Sequence, residues 1–249
     1  MRAAHKTVFL VFLLTLALTK TPASAATLIT DLSRDRIEIT TSFTGTRVLL
    51  FGTKEGAGDL VIVVRGPNRR EMIRRKEKSA GIWVNGTSVA FESVPGYYFQ
   101  ASTRPLSQIA REEVLNKYRI GSMRLPLKAA AGTSPAMAKE YRSALLRLKH
   151  DQGLYTVPSF PIKIIGDRLF RAELVFPSNV PTGTYTAEIY FFQNGRAANI
   201  SRKTLAVTRA GVEATIFEFA HQHAAIYGIS AIVVALLAGW LAGIIFKKV

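Results

Sequence analysis

From Ala224 to Phe246 the chain runs twenty-three residues without a charge or a proline, and Lys247 and Lys248 follow. At 1.5 Å per residue a helix over this stretch is about 34 Å long, enough to cross a hydrocarbon core of roughly 30 Å with some tilt. A buried core helix of that length would carry a polar face, and this one has none, so a transmembrane helix is predicted over 224–246. A second apolar run, Val8 to Leu18, is only eleven residues long. It lies between Arg2, His5 and Lys6 on one side and Ala23-Ser24-Ala25 on the other. That is the layout of a secretory signal peptide over 1–25, and the run is too short to serve as a spanning anchor. The two segments agree on one orientation. Residues 26–210 lie outside the membrane, a juxtamembrane helix over 211–223 leads to the anchor, and the tail 247–249 stays in the cytoplasm, as its lysines favour.

Between these segments the apolar period is mostly two. Short β-rich runs are read at Arg36 to Phe43, Arg47 to Phe51, Leu60 to Arg65, Ile82 to Asn85, Val89 to Phe91 and Tyr97 to Ala101. Turn residues such as Gly66-Pro67-Asn68 and Asn85-Gly86 separate them, a spacing that points to a sandwich or barrel. After Pro105 the period changes. Ser134-Pro135 offers an N-cap and a proline in the first turn, with Met137, Tyr141, Ala144, Leu145 and Leu148 on one helical face before Gly153. A weaker helix is read from Ser107 to about Arg119. Alternation then returns: Phe170, Ala172, Leu174 and Phe176 form one inward row, and Tyr185, Ala187, Ile189 and Phe191 another. Asn194-Gly195 closes a hairpin into a last strand within Ala197 to Thr208.

Gly183-Thr184-Tyr185-Thr186-Ala187 resembles the tyrosine corner of immunoglobulin-like sandwiches, with Ala187 where those domains carry a cysteine. The expected fold is therefore mainly β. It comprises an immunoglobulin-like β-sandwich ectodomain with a helical pair inserted over about 105–153, plus one C-terminal transmembrane helix. Two small domains divided near Pro105 and Pro158 are the alternative.

Composition adds two constraints. With no cysteine in 249 residues, neither disulfides nor thiolate metal sites are available, and the exported part must hold by packing. The net charge is +16; without Arg2, Lys6, Lys20, Lys247 and Lys248 the exported part keeps 28 basic and 17 acidic residues. Such an excess suits anionic partners, and it suits solubility equally. Nucleic acid is not expected, because export separates the chain from it.

Arg65-Gly66-Pro67, Arg74-Arg75-Lys76, Gly81-Ile82-Trp83-Val84-Asn85 and Ser102-Thr103-Arg104-Pro105-Leu106, set between a signal peptide and a terminal anchor, carry a family resemblance. Across nearly its whole length the chain resembles the alphaproteobacterial putative transmembrane protein family. That resemblance implies a Gram-negative inner-membrane location, with the folded part periplasmic, and no assigned activity. It also brings in a permease resembling the sulfite exporters as a candidate partner.

Chemistry-bearing motifs are sparse, and no catalytic residue, metal ligand set or cofactor is predicted. His221 and His223, two apart, point to different sides of a helix and cannot chelate one ion. His150-Asp151 at a helix end lacks a nucleophile elbow, and Glu112-Glu113 reads as a solvated pair. Gly52 to Gly58 lacks the lysine that follows the last glycine of a phosphate-binding loop, and it lacks the strand-to-helix context. Arg65 to Lys78 holds seven cations against Glu71 and Glu77. Arg65, Arg74, Arg75 and Lys76, with Trp83 as a stacking surface, are the candidate contacts for an anionic ligand or acidic partner. The competing reading of this run is an exposed hairpin with alternating solvated cations. In the anchor, Ala231, Ala235, Gly239 and Gly243 repeat every four residues, which suits close packing against a membrane-protein partner or a second copy. The expected role is an accessory subunit in the lipid bilayer, with an anion-binding module as the alternative.

Overall fold

Two β-sheets lie face to face because their strands each place alternate apolar residues on one side. The computed structural model describes residues 27–79, 81–156, 160–210 and 219–246. The predicted signal peptide, the lysine tail, Pro158 and residues 211–218 of the juxtamembrane segment lie outside the described residues. The first sheet has the order β1 (Leu28–Leu32), β3 (Gly45–Lys54), β11 (Leu169–Pro177), β10 (Lys163–Ile165). The second has the order β2 (Arg36–Ile39), β13 (Arg196–Arg209), β12 (Gly183–Gln193), β4 (Asp59–Arg65), β7 (Tyr98–Ser102), β9 (Phe160–Pro161). Pairing is antiparallel except for β2 with β13 and β7 with β9. With the intervening hairpin and β2, β7 and β9 set aside, the remaining strands run β1-β3-β11-β10 and β13-β12-β4, an order compatible with the immunoglobulin-like arrangement expected.

The inward rows are those the alternation predicts. Phe170, Ala172, Leu174 and Phe176 of β11 are buried, as are Tyr185, Ala187, Ile189 and Phe191 of β12. Phe176 stacks on Tyr97 at 5.1 Å between ring centroids and meets Tyr185 edge-on at 5.7 Å, so one aromatic trio ties the sheets together. The Tyr185 hydroxyl donates to the carbonyl of Pro181, four residues upstream, the bond that defines a tyrosine corner. Asn194 and Gly195 both take positive φ, 50° and 75°, as the two-residue hairpin between β12 and β13 requires.

A third sheet joins β5 (Asn68–Ser79) and β6 (Ile82–Pro95), which lie between β4 and β7 in the chain, to β8 (Lys128–Ala129). The basic run is the first strand of a hairpin, as its competing reading has it, and one expectation is corrected: the runs at 82–85 and 89–91 are one strand, because Asn85-Gly86 makes no turn. Gly86 leaves room for the cross-strand carboxylate of Glu77, whose atoms lie within 2.2 to 2.5 Å of where a Cβ would stand. The pair slips register by one residue at that point.

The helical insertion is also finer-grained than expected. The stretch 107–119 divides into α1 (Leu106–Ile109) and α2 (Glu112–Lys117), followed by a 3-10 turn at Ser122–Arg124. α3 (Pro135–Asp151) begins as predicted, its Ser134 hydroxyl accepting from the Met137 amide. Its buried face is Tyr141, Leu145, Leu146 and Lys149, while Leu148 is 42% exposed. The face is turned from the expected one because α3 lies against β5 and β6, where Tyr141 donates to the Thr87 carbonyl. These elements share one apolar core with the two large sheets. Residues 219–222 are helical and bend at His223 into α4 (Ala224–Phe246), which has the predicted boundaries and no buried residue over Ala224–Gly243.

Candidate functional site

The five residues grouped in sequence as an anion site separate in space. Arg65 ends β4 and turns inward. Its guanidinium donates to Glu188, to the carbonyls of Tyr118 (3.1 Å) and Arg119 (3.0 Å), and lies 6.0 Å from the Tyr98 ring centroid. Glu188 also accepts from Arg202 Nε (3.0 Å) and the Tyr190 hydroxyl (2.8 Å). Burial pushes the Glu188 carboxyl up, but Arg202, Tyr190 and Arg65 outweigh it and hold it below the usual carboxylate range. Burial raises the Tyr98 and Tyr190 phenols to about 12. This node therefore stays fixed in charge around neutral pH, and Arg65 braces the sandwich where a ligand contact had been expected.

Arg74, Arg75 and Lys76 do converge. They line a groove of about 280 Å³ between the edge strand β5 and α3, together with Ile73, Tyr141, Ala144 and Arg147. Glu140 is the groove's carboxylate and is taken up by Arg75, whose guanidinium also lies 5.9 Å from the Tyr141 ring centroid. Arg74, Lys76 and Arg147 are left without a carboxylate partner among the described residues. Sequence reasoning missed Arg147. It lies seven positions after Glu140 on α3, a spacing that returns to the same helical face, but only the fold brings it to the strand 71 residues earlier.

Trp83 stands apart from that groove, near the far end of the hairpin and opposite Lys78, 68% exposed. A contrasting hollow of about 540 Å³ is lined by Gln100, Ser102, Arg104, Arg124 and Thr156 among others. Its two cations are already neutralised, Arg104 by Asp59 and Arg124 by Glu112. The Arg104 hydrogen bond holds Asp59 below the usual range.

Two apolar surfaces complete the picture. In α4 the repeat Ala231, Ala235, Gly239 and Gly243 is open: a Cβ added at either glycine would meet nothing within 4 Å. On the outer face of the first sheet, register places Ile29, Thr53, Leu169 and Ile165 in one row, with Ile29 64%, Leu169 41% and Ile165 47% exposed. Sequence reasoning missed this row because it joins β1 and β3 to β10 and β11, more than 100 residues later in the chain. Among the described residues no group of three or more His, Cys, Asp or Glu side chains could hold a metal ion, and His150 is half exposed with Asp151 3.8 Å away.

No curated protein matches the chain. The family described as "Putative transmembrane protein (Alph_Pro_TM)" matches residues 27–248, from the first described strand through the anchor, and the chain belongs to that family.

Proposed function

We propose that this membrane protein is a non-enzymatic interaction subunit of the bacterial inner membrane, crossing it once through α4 with its β-sandwich periplasmic and its C-terminus cytoplasmic. The ectodomain engages acidic groups of a partner through the groove between β5 and α3. The observation that carries this reading is the surplus in the groove of Arg74, Lys76 and Arg147 over the one carboxylate, which Arg75 already neutralises. Guanidinium groups suit carboxylate and phosphate oxygens because their planar fork donates two parallel hydrogen bonds. The open small-residue face of α4 supports a second contact within the membrane, against a permease resembling the sulfite exporters or against another copy of the chain. The exposed apolar row on the first sheet suits a protein surface in the same assembly.

The test is titration of the detergent-solubilised full chain with polyglutamate at low and high salt. Binding is expected to weaken as salt rises, and the double variant Arg74→Glu, Arg147→Glu is expected to bind at least about tenfold more weakly, a loss of roughly 1.4 kcal/mol. Equal binding by the variant and the native chain would contradict the groove as the site.

A further inference from the structure

We infer that the end of the β5–β6 hairpin is a membrane-docking element, which rests Ile82, Trp83 and Lys78 on the anionic surface of the bilayer that holds the anchor. This goes beyond the acidic-partner groove and uses different residues.

Three observations meet here. The first is composition at the tip. Ile82 is 66% exposed and Trp83 68%; consecutive in β6, they put apolar surface on both faces of the hairpin end, and Lys78, the register partner of Trp83, sets a cation beside it. Tryptophan with lysine is the pairing that settles at the headgroup level, where the indole is half in apolar surroundings and the ammonium reaches the phosphates.

The second is the charge left open at the tip. Along β5, Glu71 is engaged by Lys149 and Arg75 by Glu140, and Arg70 meets Glu92 at 3.0 Å. Arg74 and Lys76 belong to the groove described above. Lys78 is exposed opposite Trp83, where its ammonium is attracted to anionic headgroups within a Debye length of the surface.

The third is where the hairpin leaves the sandwich. β4 runs antiparallel to β12 and ends at Arg65 opposite Thr186, so the chain enters the hairpin at the Gly183 end of β12. Pro67 lies 2.8 Å from where a Gly183 Cβ would stand, and Arg69 donates to the Thr182 carbonyl at 3.2 Å. Gly183 in turn pairs with Val207, two residues before β13 ends at Arg209. The hairpin therefore emerges from the same end of the sandwich as the chain that continues to the anchor. Fourteen residues, 210–223, separate Arg209 from Ala224, and with 219–222 helical they reach at most about 40 Å. The twelve residues of β5 span about 40 Å, so the tether keeps the bilayer within reach of the tip.

The chain has two tryptophans, and Trp240→Phe leaves Trp83 as the sole fluorophore. That full-length variant is reconstituted into phosphatidylcholine vesicles with or without phosphatidylglycerol, each containing a phospholipid brominated along its acyl chains. Trp83 emission is expected to be blue-shifted and quenched in the phosphatidylglycerol vesicles. Adding Lys78→Glu or Ile82→Ser, both at exposed positions, is expected to reduce the quenching at least twofold. The inference is overturned if Trp83 keeps a water-like, unquenched emission, or if neither substitution changes the quenching. It is also overturned if a blue shift follows protein concentration instead of lipid composition, which would assign the tip to a second copy. A shift that appears only when an acidic polypeptide is added would assign it to a protein. None of these results touches Arg74 or Arg147, so the groove stands or falls separately.

Discussion

Phe176→Ala is expected to lower the unfolding free energy by about 3–5 kcal/mol, read as a shift of the urea midpoint of the detergent-solubilised chain. The side chain is buried and held between the Tyr97 and Tyr185 rings. Its loss removes transfer free energy and leaves a void, and the size of the effect depends on how far neighbours can move in. Here they are pinned. Tyr97 donates to the Val175 carbonyl at 2.6 Å and Tyr185 to that of Pro181, so neither ring can slide into the space without breaking a part-buried hydrogen bond. Burial raises both phenols above their ordinary range, and they stay neutral donors over any physiological pH. The upper half of the range is therefore expected. A loss under about 1 kcal/mol would mean that the trio does not join the sheets as described.

Glu71→Ala is expected to cost about 3 kcal/mol, and the loss should be largely recovered in the double variant Glu71→Ala, Lys149→Met. Lys149 Nζ lies 2.6 Å from Glu71 Oε1, and only 7% of the lysine side chain is exposed. Removing the carboxylate strands an ammonium among Tyr141, Leu145 and Leu146, whereas an apolar side chain of similar length fits that setting. Urea titration of the two variants distinguishes a buried ion pair from a surface one. If the single variant costs less than about 0.5 kcal/mol, the lysine escapes to water and the pair does not fasten α3 to β5. The measurement bears on function as well, since the walls of the cationic groove are the two elements this pair joins.

Elements with one face on the core were legible from sequence. β11 and β12 show clean alternation because each covers the core on one side, and the Tyr185 corner could be read because its bond is made four residues away. β5 was legible only through the competing reading of the basic run, an exposed hairpin, since apart from Ile73 its side chains are polar or exposed on both faces and no inward row exists. Leu148 was placed on the wrong face of α3 because periodicity gives a stripe but not the direction from which a partner covers it. The site divided the same way. Arg74, Arg75 and Lys76 were found because they are adjacent in the chain. Arg65 was grouped with them by proximity, although its partner Glu188 stands 123 residues downstream, and Arg147 joins the groove only through the packing of a helix on a strand. The anchor is the extreme case of legibility: lipid imposes its requirement on every side of α4, so composition alone marks its limits.

The claim on which the rest stands is a single crossing by α4 with the sandwich outside and the C-terminus inside. Because the chain has no cysteine, single cysteines report on it without background. Arg196→Cys, at an exposed position in the β12–β13 hairpin, and Val249→Cys are to be treated in intact spheroplasts with a membrane-impermeant maleimide. The account predicts that position 196 is labelled at once and position 249 only after the membrane is permeabilised. Labelling of 249 in intact spheroplasts, or protection of 196, would contradict it.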